Sequence, residues 1–154
     1  MSSGGRGGLE RMTTQTHPGR QLFVTLPVAD VDRSRAFFAE LGFSFDPRFS
    51  GEDAVCMLVG EQVSVMLGTR ERVGELSKRP LADPATHALA LFSFSVGTRE
   101  EVDTVAATAL AGGGTEADEA EDHGFMYTRA FFDLDGHGWQ VMWMAPAESE
   151  AAPE

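Results

Sequence analysis

The chain repeats one order of elements, and that repeat limits the folds open to it. Over residues 21–28, Leu22, Val24, Leu26 and Val28 alternate with Phe23, Thr25 and Pro27. Period two is the pattern of a strand with two different faces. Asp30 then stands as a helix N-cap, Phe37, Phe38 and Leu41 recur at helical spacing, and Gly42 ends the helix. Residues 54–59 and 62–68 read as two strands around the turn Gly60-Glu61, with a weaker strand over 44–49. The second round opens with a strand over 88–96. Thr98 and Glu101 have the spacing of a capping box, and Val102, Val105, Ala106, Ala109 and Leu110 mark one helix face. Gly112, Gly113 and Gly114 stop that helix. Strands over 126–132 and 139–144 flank a turn at Asp135-Gly136. β-α-β-β-β, twice, predicts an α+β fold of two tandem modules, 21–69 and 87–145, in one domain over 21–146. The glycine-rich stretch 1–20 and the acidic tail 147–154 lack any apolar period and are expected to be disordered. The acidic run 116–122, with five acids in seven residues, reads as a solvated loop.

Each sheet is expected to pack its large apolar residues on its helix. The opposite face carries Thr25, Ser64, Met66, Gly68, Ser93, Ser95 and Gln140. A mixed, small-residue face admits two readings, the lining of a cleft or an ordinary solvated sheet face.

Charge narrows the partners. Twelve Lys and Arg stand against 24 Asp and Glu, a formal net charge of −12. Such a surface repels phosphate backbones and anionic membranes, so nucleic acid and membrane are not expected partners. The one cysteine, Cys56, can form neither an internal disulfide nor a thiolate metal site by itself. The longest apolar run is six residues, 54–59, against about 20 for a membrane span. These features read as a cytoplasmic protein.

From Val24 to Phe43 the chain places Asp30, Arg33, Ser34, Phe37, Phe38, Leu41, Gly42 and Phe43 in the order Asp-x-x-Arg-Ser-x-x-Phe-Phe-x-x-Leu-Gly-Phe. From His123 to Met144 it places Asp133, Asp135, Gly136 and Trp139 as Asp-x-Asp-Gly-x-x-Trp. These stretches resemble the opening and the closing hairpin of the glyoxalase/bleomycin-resistance/extradiol-dioxygenase superfamily, the vicinal oxygen chelate (VOC) proteins. The nearest branch is that of bacterial proteins related to lactoylglutathione lyase. The resemblance spans about 20–146. It implies two modules, each curling its sheet into half a cleft, and often a homodimer with clefts built from both chains. It does not imply one reaction, because the fold hosts several chemistries and also plain binders.

The resemblance also implies where a metal would sit. Metal-using members draw ligands from His or Gln near the start of each module's first strand and from Glu on each last strand. Here those positions fall on Phe23, Leu91, Met66 and Gln140, provided that neither first strand carries a bulge. Hydrocarbon donates nothing, a thioether suits soft metals, and one neutral amide cannot hold a catalytic divalent ion that wants about three protein ligands. No metal and no cofactor are therefore expected. His17, His87, His123 and His137 are each read as solvated or hydrogen-bonded structural residues, His137 exposed in its turn.

Asp133-Leu-Asp-Gly136 lacks the acids of a calcium loop, and Gly112-Gly-Gly114 follows a helix where a phosphate cradle would precede one. Tyr127 and Arg129 share a strand face. Either Arg129 pairs with a local acid while Tyr127 packs on the sheet, or both reach into the cleft and hold an anion. The candidate ligand-binding set is Phe23, Thr25, Met66, Leu91, Ser93, Tyr127, Arg129, Gln140 and Met142, rich in the Phe and Met that suit flat apolar ligands. The expectation is binding of a small, largely apolar organic molecule without a metal, by a homodimer. The competing expectation is a metal-dependent lyase or isomerase of the lactoylglutathione lyase type. No catalytic residue is assigned.

Overall fold

Asp30 starts the first helix as its spacing predicts: its Oδ1 accepts from the Arg33 N–H at 3.0 Å. The computed structural model describes residues 17–146. The expected disorder of 1–16 and 147–154 lies outside the described residues. The first module contains β1 (Leu22–Val28), α1 (Val31–Glu40), β2 (Ser44–Phe45), β3 (Ala54–Gly60), β4 (Val63–Thr69) and α2 (Arg70–Ser77). The second contains β5 (Leu91–Ser95), α3 (Arg99–Ala111), β6 (Thr115–Asp122), β7 (Met126–Phe132) and β8 (Gly138–Met144). The sheets run β1-β4-β3-β2 and β5-β8-β7-β6. β1 lies parallel to β4 and β5 to β8, and the other pairs are antiparallel. Parallel neighbours need a crossover, which the helix of each module begins.

Local chemistry sets the helix ends. The end of α1 is a Schellman motif: Phe43 N–H bonds to the Phe38 carbonyl at 3.1 Å and Gly42 N–H to the Ala39 carbonyl at 3.0 Å, with Gly42 at φ 106°. The Phe38 and Phe43 rings meet across it at 5.9 Å. At α3, Thr98 Oγ1 accepts from Glu101 N–H at 3.1 Å, while Glu101 Oε1 reaches Gly97 N–H, one residue before the usual partner.

The helix-facing sides of both sheets share one core. Leu26, Val28, Val55, Val65 and Leu67 of the first module join Phe131, Trp139, Val141, Val102 and Val105 of the second. α1 bridges them, with Phe38 5.2 Å from Trp139, Phe37 6.4 Å from Phe131 and Phe43 5.0 Å from Phe94. The other face of each sheet turns away from this core, leaving Leu91 81% and Phe23 48% exposed.

Three elements differ from expectation. The acidic run is an edge strand, β6, and every residue of it is exposed. With both faces solvated it shows no apolar alternation. Only Val73 of α2 is buried, so that helix carries no apolar stripe. The weak strand over 44–49 shortens to two residues before a 3₁₀ turn at Pro47–Phe49, where Asp46 Oδ1 accepts from Arg48 N–H at 2.9 Å. Among the described residues, no helix is long and apolar enough to cross a membrane.

Candidate functional site

Residues directly opposite on neighbouring strands share a sheet face, so the pairings map the outward faces row by row. On the second sheet Ser93 lies opposite Gln140, Gln140 opposite Ala130, and Ala130 opposite Asp118. One row to one side come Leu91, Gly138, Phe132 and Thr115, and one row to the other come Ser95, Met142, Thr128 and Glu121. A groove of about 300 Å³ runs over this face, lined by Leu91, Ser93, Ala130, Phe132, Gln140 and Asp118 among others. Gly138 leaves room for it, since a Cβ there would stand 3.3 Å from Leu91 Cδ2. Ser93 Oγ donates to Gln140 Oε1 at 3.2 Å, which turns the amide N–H₂ into the end that a ligand can meet. β6 is irregular on both sides of Asp118, with register shifts between Glu116 and Asp118 and between Asp118 and Glu121. Such bulges re-aim side chains, and here they bring Asp118 into line with Ala130.

The first sheet presents Phe23 opposite Ser64, then Thr25 opposite Met66 and Met66 opposite Cys56. Its far end is closed by α2. A Cβ on Gly68 would stand 3.1 Å from Val73 Cγ2, so the bare glycine lets that helix close down. Cys56 is buried.

Phe23, Thr25 and Met66 therefore share the outward face of one sheet, and Leu91, Ser93, Gln140 and Met142 that of the other. A single chain does not bring the two groups together, because the common core stands between them. Tyr127 and Arg129 are a correction. They lie opposite Trp143 and Val141, on the helix side of β7. Tyr127 Oη donates to Asp103 Oδ1 at 2.6 Å and Arg129 Nη1 donates to the same oxygen at 3.1 Å. The Tyr127 hydroxyl, and then Arg129, hold the Asp103 carboxyl below its ordinary pKa, and the same bond raises that of Tyr127. Arg99 stacks over Tyr127 at 4.9 Å and Trp143 at 5.2 Å. The pair ties β7 to α3 and does not face the groove.

His137 is also corrected, being buried at 3% exposure. Its Nε2–H donates to the Pro27 carbonyl at 2.8 Å, joining the last turn of one module to the first strand of the other. Beside it, the buried Asp133 carboxylate accepts from the N–H groups of Asp135, Gly136 and His137 and from Trp139 Nε1 at 2.9 Å. Burial pushes Asp133 up, opposed by the charge of His137 and the bond from Trp139.

The pairings of β1 with β4 and of β5 with β8 run without a bulge. Phe23 stands two residues before the partner of Met66, and Leu91 two before the partner of Gln140, so the two modules are in the same register. Two hydrocarbons, a thioether and an amide do not fit a divalent ion. Among the described residues no three His, Cys, Asp or Glu side chains gather as a ligand group.

A family model described as bleomycin resistance protein-like N-terminal matches residues 20–60, which span β1 to β3. A hypothetical protein from S. aureus superposes with a TM-score of 0.68 at 23% identity, over 86% of this chain and 98% of that one. A glyoxalase/bleomycin resistance protein/dioxygenase family enzyme from Burkholderia phytofirmans PsJN superposes at 0.67 and 16% identity, over 79% and 96%. This chain has the VOC fold. A lactoylglutathione lyase from Agrobacterium tumefaciens shares the VOC fold with it at a TM-score of 0.60 and 16% identity, over 82% and 95%. No curated protein sequence matches. Within the VOC fold the chemistry rests on side chains, and sequence alone pointed to Leu91, Ser93 and Gln140. It missed Ala130, Phe132 and Asp118, which only the strand pairing places beside them.

Proposed function

We propose that this VOC-fold protein binds a small, largely apolar organic molecule directly, with no metal between protein and ligand. The observation that carries the reading is the side-chain set at the four positions where metal-using relatives place ligands: Phe23, Met66, Leu91 and Gln140, in equivalent register in both modules. The same atoms that fail as metal donors make an apolar surface with one oriented amide. The groove volume of about 300 Å³ lies at the small end of ligand pockets, roughly 300–1,000 Å³. Two copies complete the cleft, the face with Phe23, Thr25 and Met66 on one protomer meeting the face with Leu91, Ser93, Gln140 and Met142 on its partner. A cytoplasmic location fits the single buried thiol.

Two measurements test this. Elemental analysis of protein purified without chelator is expected to find no stoichiometric metal; about one zinc, nickel, iron or manganese per chain would favour the lyase reading instead. Thermal unfolding against aromatic compounds and glutathione adducts is expected to show stabilisation by aromatics, since a ligand that binds only the native state raises its stability.

A further inference from the structure

We infer that Asp118 makes the groove of the second sheet selective for an apolar molecule that carries a cationic nitrogen. The inference rests on the proposed binding role of that groove and adds the charge class of its ligand.

Asp118 ends the row that begins at Ser93 and passes through Gln140 and Ala130. It is a carboxylate in the wall of a groove whose other named lining residues are uncharged. Five acids among the described residues are held in ion pairs. Asp46, Glu75, Asp103 and Asp122 each pair with an arginine, and Glu121 pairs with His123. Among the described residues Asp118 has no such partner; its Oδ1 accepts only the Glu119 N–H at 2.8 Å. Along the strand rows of either outward face there is no Lys or Arg. An anion brought to the groove meets a carboxylate and no cation, and the formal charge of −12 repels it from further away. An ammonium meets its counter-charge beside Ala130 and Phe132.

Geometry constrains the ligand further. Asp118 is two strands from Gln140, roughly 10 Å between backbones at about 4.8 Å per strand. The Gln140 N–H₂ is a donor. The fitting molecule has a cationic nitrogen at one end, a hydrogen-bond acceptor at the other, and a flat apolar body between them over Ala130 and Phe132.

Three probes with one ring system separate the terms: 2-naphthylmethylamine, 2-naphthalenemethanol and 2-naphthoic acid, titrated into the full chain by calorimetry at neutral pH and low salt. The amine is expected to bind up to roughly fivefold more tightly than the alcohol, the worth of one solvent-exposed ion pair, and the acid more weakly than both. Asp118→Asn is expected to abolish the amine's advantage over the alcohol; Asn keeps the oxygen that accepts from Glu119. Glu116→Gln removes the same charge from the same strand, but opposite Phe131 on the other face, and is expected to keep the advantage. Equal affinities, tightest binding of the acid, or loss of the advantage in Glu116→Gln would overturn the charge inference and leave the groove as a binding site. Binding of none of the three would overturn the groove reading and this inference with it.

Discussion

Asp133 is where one residue carries the most structure. All four of its partners are donors, three backbone N–H groups and the Trp139 indole. Asp133→Asn must point its own N–H₂ at one of them, so the variant is expected to lose about 2 kcal/mol, the cost of an unsatisfied buried donor. The sign of the pH dependence follows from burial raising the pKa of Asp133. A raised carboxyl contributes stability that is complete below its unfolded pKa and is lost as pH rises through the folded one. The gap between wild type and Asp133→Asn in urea unfolding is therefore expected to be widest in acid and to narrow as pH rises. Asp103 behaves in the opposite way. Its pKa is lowered, first by the Tyr127 hydroxyl and then by Arg129, so its contribution is present above the unfolded pKa and lost as pH falls through the folded one. The Asp103 side chain is 55% exposed, and Tyr127→Phe is expected to cost only about 0.5 kcal/mol. Probe binding in that variant is expected to be unchanged, since Tyr127 faces α3. Sequence left Tyr127 and Arg129 open between two faces because period two says which residues share a side and not which side is inward.

At the scale of elements, two glycines with similar dihedrals predict different costs. Gly42 has φ 106° and a Cβ there would meet nothing within 4 Å. Gly42→Ala is expected to cost about 1 kcal/mol, the strain of a left-handed alanine. Gly136 has φ 103°, but its Cβ would stand 2.6 Å from the Pro84 carbonyl oxygen. Gly136→Ala must also push the intermodule connection off the last turn, and its loss in urea unfolding is expected to exceed that of Gly42→Ala by more than 1 kcal/mol. The first glycine was legible in sequence because it follows an apolar helical pattern. The second was legible as a turn, but not as the seat of residues 84–85, since nothing local encodes a contact that distant. The same limit hid β6 and α2. Eight solvated residues and a helix with one buried side chain leave no period to read. β1, β7, β8, α1 and α3 were legible because each buries one face and exposes another. Asp118 was not, because two irregularities in β6 decide which way it faces.

At the scale of the molecule, one chain leaves both halves of the cleft open and apolar. β1 and β5 are edge strands, and edges are normally guarded by charge or proline. β5 carries neither and exposes Leu91 at 81%, while β1 exposes Phe23 at 48%. The proposed second copy covers these residues, so light scattering is expected to give twice the chain mass. Leu91→Asp would bury a carboxylate opposite apolar side chains in such a dimer. It is expected to give a monomer with an unchanged circular dichroism spectrum and no measurable affinity for the naphthyl probes. A dimer that survives Leu91→Asp would place the contact elsewhere. Salt gives an independent check, because the two electrostatic effects have opposite signs. Two chains of formal charge −12 repel each other, so added salt is expected to tighten the dimer. The amine's advantage over the alcohol is an attraction and is expected to shrink over the same range of salt. Measured well above the dimer's dissociation constant, only the second change remains, which separates the charge of the site from the charge of the whole.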